Sequence, residues 1–140
     1  MINGVRNMDD DAVLVVEDDG EIRSIYVSAF GAAGLDVHEV ATQAEAVASE
    51  GRPSCVVLDW NLPDGSGLDV AQALHQRWGA ALPIVLVTGA ALGPQDVAAT
   101  GAVSWLTKPF DVEEVIQTVR RAMRRRRRRT TKKVSARSRR

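Results

Sequence analysis

Four short apolar runs, each ending in polar or charged residues, constrain this chain more than any other feature. Residues 13–16 lead into Glu17-Asp18-Asp19, and residues 55–58 into Asp59. Residues 84–87 lead into Thr88-Gly89, and residues 103–106 into Thr107-Lys108-Pro109-Phe110. Brief runs rich in Val, Ile and Leu read as strands buried on both faces, the kind that parallel sheets contain. Past Asp59, Pro63, Gly65 and Gly67 force a loop. A carboxylate just beyond the end of such a strand lies where open α/β sheets hold their ligands. Taken alone, Asp59 reads equally well as a loop residue or a helix cap. The other run ends weigh against that, because they gather three carboxylates, a hydroxyl and a lysine at one sheet edge.

The segments between the runs have helical spacing. Over residues 20–33, Ile22, Ile25, Tyr26, Ala29 and Phe30 fall on one face, and Gly34 is a good stop. Residues 36–40 form a second strand. Thr42-Gln-Ala-Glu45 is a capping box that opens a helix ending near Gly51. The third strand spans residues 54–58. Residues 67–78 form a helix with Leu68, Ala71, Leu74 and Trp78 inward, and residues 82–87 a strand with Pro83 at its start. Gly93-Pro94 keeps any helix at 95–100 short. Residues 103–106 are the fifth strand. Asp111 caps a last helix whose apolar stripe is Val112, Val115, Ile116, Val119 and Met123. Five strand–helix repeats require right-handed crossovers, hence an α/β doubly wound five-stranded parallel sheet with helices on both faces.

A chain of 140 residues that is 45% hydrophobic supports one domain with a real core. No stretch approaches the ~20 apolar residues of a membrane span, and residues 1–11 lack the pattern of a secretory signal. The single cysteine, Cys55, reads as a small core residue. These features fit a cytoplasmic protein. The zero net charge hides an asymmetry: all 18 acidic residues precede residue 115, and 13 of the 18 Lys and Arg lie from Arg120 onward. The body is therefore strongly acidic and the following segment strongly basic. The expected division is a loose segment 1–11, a domain 12–123 and a basic disordered tail 124–140.

Clustered carboxylates repel: two unit charges ~4 Å apart cost about 4 kcal/mol at an effective dielectric near 20. Such a cluster needs a bound cation or a shared proton. An all-oxygen set suits a hard divalent ion, Mg²⁺ above all or Mn²⁺, rather than zinc. His38 and His75 sit in unrelated elements and read as surface residues. With Lys108 as a point charge and Thr88 as a hydroxyl donor, the edge suits a phosphoryl group carried by a nucleophilic Asp.

At this point the sequence closely resembles the receiver domain of bacterial two-component response regulators. The matching pieces are Val15-Val-Glu-Asp-Asp19 with Ile22-Arg23, Leu58-Asp-Trp-Asn-Leu-Pro-Asp-Gly-Ser-Gly67, Val87-Thr-Gly-Ala90 and Leu106-Thr-Lys-Pro-Phe110. Their order and spacing cover roughly residues 12–123, and the set is highly specific. The resemblance implies a flavodoxin-like fold and roles residue by residue. Asp59 accepts a phosphoryl group from a phosphohistidine on a sensor histidine kinase or phosphotransfer protein. Asp18 and Asp59 bind the metal directly, Glu17 through a water, and Asn61 through its backbone carbonyl. Thr88 and Lys108 meet the phosphoryl oxygens, and the Lys108–Pro109 bond is cis. Asp19 lies outside the metal set and caps the helix. Thr88 and the fifth-strand aromatic form a switch; that position holds Trp105, where Tyr or Phe is usual, and a fixed packing role for it is an equal alternative. Asn61 and Ala90 occupy positions that tune dephosphorylation.

The resemblance implies a signalling switch rather than a metabolic enzyme, one that catalyses its own phosphorylation and dephosphorylation. It stands alone and acts on an output protein through the face of the fourth helix, fifth strand and last helix. A homodimer is compatible with this. An aspartate-nucleophile phosphohydrolase is a rival, but it needs an acid two residues past the nucleophile, where Asn61 stands. A nucleotide-binding domain lacks its glycine-rich loop. For the basic tail three readings compete: a solvated segment without specific role, ranked first; a polyanion or nucleic-acid binder regulated by the receiver; and a ligand for an acidic protein face, including the chain's own body. No aromatic residue interleaves with the basic ones, so base stacking is absent.

Overall fold

The computed structural model describes the backbone of residues 12–89 and 92–138, with side chains as far as Arg125. The expected loose segment 1–11 and Ala90 lie outside the described residues. Among the described residues, seven strands and five helices follow in order: β1 (Ala12–Val16), α1 (Gly20–Ala32), β2 (Asp36–Val40), α2 (Gln43–Ala48), β3 (Cys55–Asp59), β4 (Asn61–Leu62), β5 (Gly65–Ser66), α3 (Gly67–Trp78), β6 (Ile84–Thr88), α4 (Pro94–Thr100), β7 (Ser104–Thr107) and α5 (Val112–Ser138). Five strands make one sheet in the order β2-β1-β3-β6-β7, and all its pairings are parallel. β4 and β5 form a two-residue antiparallel hairpin apart from it.

Strand periodicity sorts the core into two layers. Leu14, Val16, Val56, Leu58, Ile84 and Leu86 face Ala46 of α2, Val70, Ala71 and Leu74 of α3 and Val97 of α4. The alternate residues Val13, Val15, Val57, Val85 and Val87 face Tyr26 and Phe30 of α1 and Val115, Ile116, Val119 and Met123 of α5. Central strands β1, β3 and β6 are buried along their whole length. The edge strand β7 instead alternates between half-buried and exposed residues, so a continuous apolar run did not mean two buried faces there.

Several side chains depart from their expected places. Ile25 is 52% exposed. The inner stripe of α1 centres on Tyr26, and Ile25 falls off its edge at 100° per residue. α2 stops at Ala48, because Ser49 already has extended backbone. Neither histidine is a free surface residue: His75 is half-buried, with a ring nitrogen 3.0 Å from the Leu82 carbonyl, and His38 is half-buried in β2, 3.9 Å from Asp36. The backbone after Met123 remains helical to Ser138, where a disordered tail was expected from its charge. Arg is a good helix former, and extending a packed helix avoids the cost of nucleating a new one.

Candidate functional site

Strand order reverses about β1: β2 lies on one side of it and β3 on the other. In a doubly wound sheet this switch point opens a crevice at the carboxyl ends of the strands. The residues just past β1 are Glu17 and Asp18, and the last residue of β3 is Asp59. One carboxylate oxygen from each of Glu17, Asp18 and Asp59 lies within 4.8 Å of the others. Glu17 is 2% exposed and Asp59 6%, whereas Asp18 is exposed. The Lys108 ammonium stands between the buried pair, 3.4 Å from Glu17 Oε1 and 3.4 Å from Asp59 Oδ1. Lys108 follows β7, and its amide donates to the Thr88 carbonyl at 2.7 Å, joining the ends of β6 and β7. The Lys108–Pro109 bond is cis.

The electrostatics follow from burial and crowding. Burial pushes the Glu17 carboxyl up to about 7, and the hydrogen bond to Asp59 and its charge add to that. The Asp19 amide and Lys108 pull the other way and lose. Burial disfavours the Lys108 ammonium, but Asp59 and Glu17 outweigh it and hold its pKa above the ordinary value. Three carboxylates with oxygen-only donors fit a hard dication such as Mg²⁺.

The remaining expected residues flank this cluster. Thr88, 1% exposed, ends β6, in register with Thr107 and one position beyond the partner of Asp59. Asn61 is exposed at the start of β4. Asp19 caps α1, accepting from the Glu21 and Ile22 amides at 2.9 and 3.2 Å. Trp105 pairs with Leu86 in register and is 45% exposed.

Two contributors had no assigned role in the sequence. Arg23 donates to the Glu17 carbonyl at 2.9 Å and is itself held by Glu39 of β2 at 3.2 Å, so it pins the backbone of the acidic loop. Its position one turn into the helix after three acidic residues was the available signal. Tyr26 stacks on Phe110 with ring centroids 5.4 Å apart and lies under the site. Burial, then the charges of Glu17 and Asp59, push its phenol upward. Nothing in its spacing distinguished it from an ordinary core aromatic.

The sheet and its switch-point crevice define a doubly wound α/β domain with three carboxylates and a lysine gathered at the carboxyl ends of its strands. Residues 13–120 match the response regulator receiver domain, and the chain belongs to that family. Among curated proteins it is 32% identical over 127 residues to the response regulator protein TodT of Pseudomonas putida, covering 86% of this chain and 56% of that protein. It is 33% identical over 116 residues to the KDP operon transcriptional regulatory protein KdpE of Escherichia coli, covering 80% of this chain and 51% of that one. The chain thus spans about half the length of these bacterial relatives. Chemotaxis protein CheY4 of Vibrio cholerae superposes with a TM-score of 0.73 at 30% identity, over 81% of this chain and 99% of that one. Among the described residues no helix is long and apolar enough to cross a membrane.

Proposed function

We propose that this chain is a cytoplasmic phosphoryl-accepting switch, with Asp59 as the acceptor. The observation that carries this is the Lys108 ammonium 3.4 Å from both Glu17 and Asp59, within a cluster of three carboxylates. An Asp59 carboxylate oxygen attacks phosphorus; the bond from phosphorus to the donor's imidazole nitrogen breaks, and an acyl phosphate forms. Attack by water on phosphorus later breaks its bond to the Asp59 oxygen, releasing inorganic phosphate and restoring the carboxylate.

Glu17, Asp18, Asp59 and the Asn61 carbonyl would hold Mg²⁺ or Mn²⁺, Glu17 through a water. The ion supplies charge neutralisation on the phosphoryl oxygens. Lys108 does the same from the protein side, and Thr88 donates a hydrogen bond to the new group. Burial of Asp59 excludes bulk water and strengthens these contacts. Phosphorylation adds about −1.5 to −2 charges, which draws in Thr88 and Lys108 and loosens Lys108 from Glu17. Exposed Val103 and Trp105 place apolar surface beside α4 and α5, where the output protein would bind. The donor is a sensor histidine kinase or a phosphotransfer protein.

The test is incubation of the chain with Mg²⁺ and acetyl phosphate beside an Asp59→Asn control, read by intact mass. One alkali-labile phosphoryl group on the wild type and none on the control is expected. Equal labelling of both, or no labelling while a known receiver is labelled in the same tube, overturns the assignment.

A further inference from the structure

The basic segment is the strongest feature that phosphoryl acceptance leaves unused. From Arg120 onward the chain carries 13 Lys and Arg and no acidic residue. Its backbone continues α5 without a break to Ser138. The packed part of that helix ends at Met123, and Arg124 and Arg125 are exposed.

Topology places this extension relative to the site. α5 starts just past Lys108 at the carboxyl edge of the sheet and runs back along it. By Arg120 it has reached the opposite edge, where the Arg120 guanidinium donates to the Ala33 carbonyl at 2.6 Å, shortly before β2 begins. The 15 residues from Met123 to Ser138 then add about 22 Å at 1.5 Å per residue. A continuous helix leaving that edge cannot turn back onto Glu17, Asp18 and Asp59. This removes the chain's own acidic site as the partner of the charge.

We propose that the α5 extension binds duplex nucleic acid through its phosphates, without reading base sequence. Six consecutive arginines, Arg124 to Arg129, step through about 500° from first to last on a helix, more than one full turn, so the charge is not confined to one helical stripe. Guanidinium groups match phosphate oxygens in bidentate geometry. An anionic membrane fits less well, since interfacial helices need an apolar face. The only apolar residues after Met123 are Val134 and Ala136. Single strands fit less well because the segment has no aromatic residue on which bases stack.

The test uses the 140-residue chain and a labelled duplex of arbitrary sequence, titrated by anisotropy between about 50 and 200 mM salt. Six phosphate contacts give a slope near −5 in log K against log salt, and a loss of about 10³ in affinity over that range. Replacing Arg124→Gln through Arg129→Gln keeps good helix formers and should weaken binding at least ~100-fold at low salt. The six Arg→Lys replacements should stay within about tenfold of the wild type, which separates charge from helix integrity; circular dichroism checks the latter. Retained affinity in the glutamine variant, tighter binding to single strands, or stronger partition onto phosphatidylserine vesicles than onto duplex overturns the proposal.

Discussion

Glu17 sits among the least exposed groups of the molecule, and burial with a neighbouring Asp59 pushes its carboxyl from 4.5 up to about 7. Between those values the native state holds a proton that the unfolded chain releases. Stability of the metal-free protein therefore falls as pH rises from about 4.5 to 7, by on the order of 2–3 kcal/mol. Urea unfolding in chelator at pH 5 and pH 7.5 measures it, and Glu17→Gln should flatten the slope; an equal slope in that variant would place the titration elsewhere. Tyr26 poses a different cost: its hydroxyl is buried and, among the described residues, has no hydrogen-bond partner. Tyr26→Phe removes that desolvated group and keeps the ring stacked on Phe110, so it should raise stability by roughly 1 kcal/mol in the same assay. The carboxylates, Thr88 and Lys108 were legible in the sequence because each sits where an apolar run stops. Arg23 acts through a backbone carbonyl, with only its place one turn past the acidic run to mark it, and Tyr26 acts through a ring face that leaves no mark in spacing or residue class.

At the scale of elements, the loop after Asp59 depends on close approach of backbone to side chain. Gly67 opens α3, and its amide donates to the Trp60 carbonyl at 2.6 Å. A Cβ there would lie 2.5 Å from Trp60 Cε3 and 3.1 Å from Trp60 Cα. Gly67→Ala should then cost about 1–3 kcal/mol through overpacking and shift tryptophan emission. Gly31→Ala, inside α1 with nothing within 4 Å, should instead gain about 0.5–1 kcal/mol. Swapped signs in urea unfolding would refute this contrast. Element type was legible almost throughout, since caps such as Asp19, Thr42 and Ser66 stand where side-chain oxygens accept from the first turn. What was not legible depended on sheet order. An apolar run cannot say whether it ends up central, as β3 did, or at an edge, as β7 did, and so Val103 and Trp105 turned out exposed. Asp64 caps α2 across 21 residues, accepting from the Gln43 amide at 2.8 Å, a contact only the folded loop creates.

Taken whole, the molecule joins an acidic body to a basic helix, and where cooperativity ends between them is a question of packing rather than charge. Val119, Ala122 and Met123 are buried against the layer that α1 and α5 build on the sheet. Arg124 and Arg125 are exposed. A helix without an apolar face is held by propensity alone, and each exposed substitution there acts within about 0.5 kcal/mol. Placing the domain boundary at Met123 therefore makes a two-sided prediction. Met123→Ala should lower the unfolding free energy by about 2–3 kcal/mol, because it empties a packed site. The six Arg→Gln replacements after it should leave the urea midpoint nearly unchanged. Hydrogen exchange should show the same break: amides of α5 up to Met123 open only with global unfolding, and those beyond open at much lower free energy. Protection extending evenly to Ser138, or a midpoint that moves with the arginines, would mean that the basic helix is part of the folding unit, and the boundary would have to move with it.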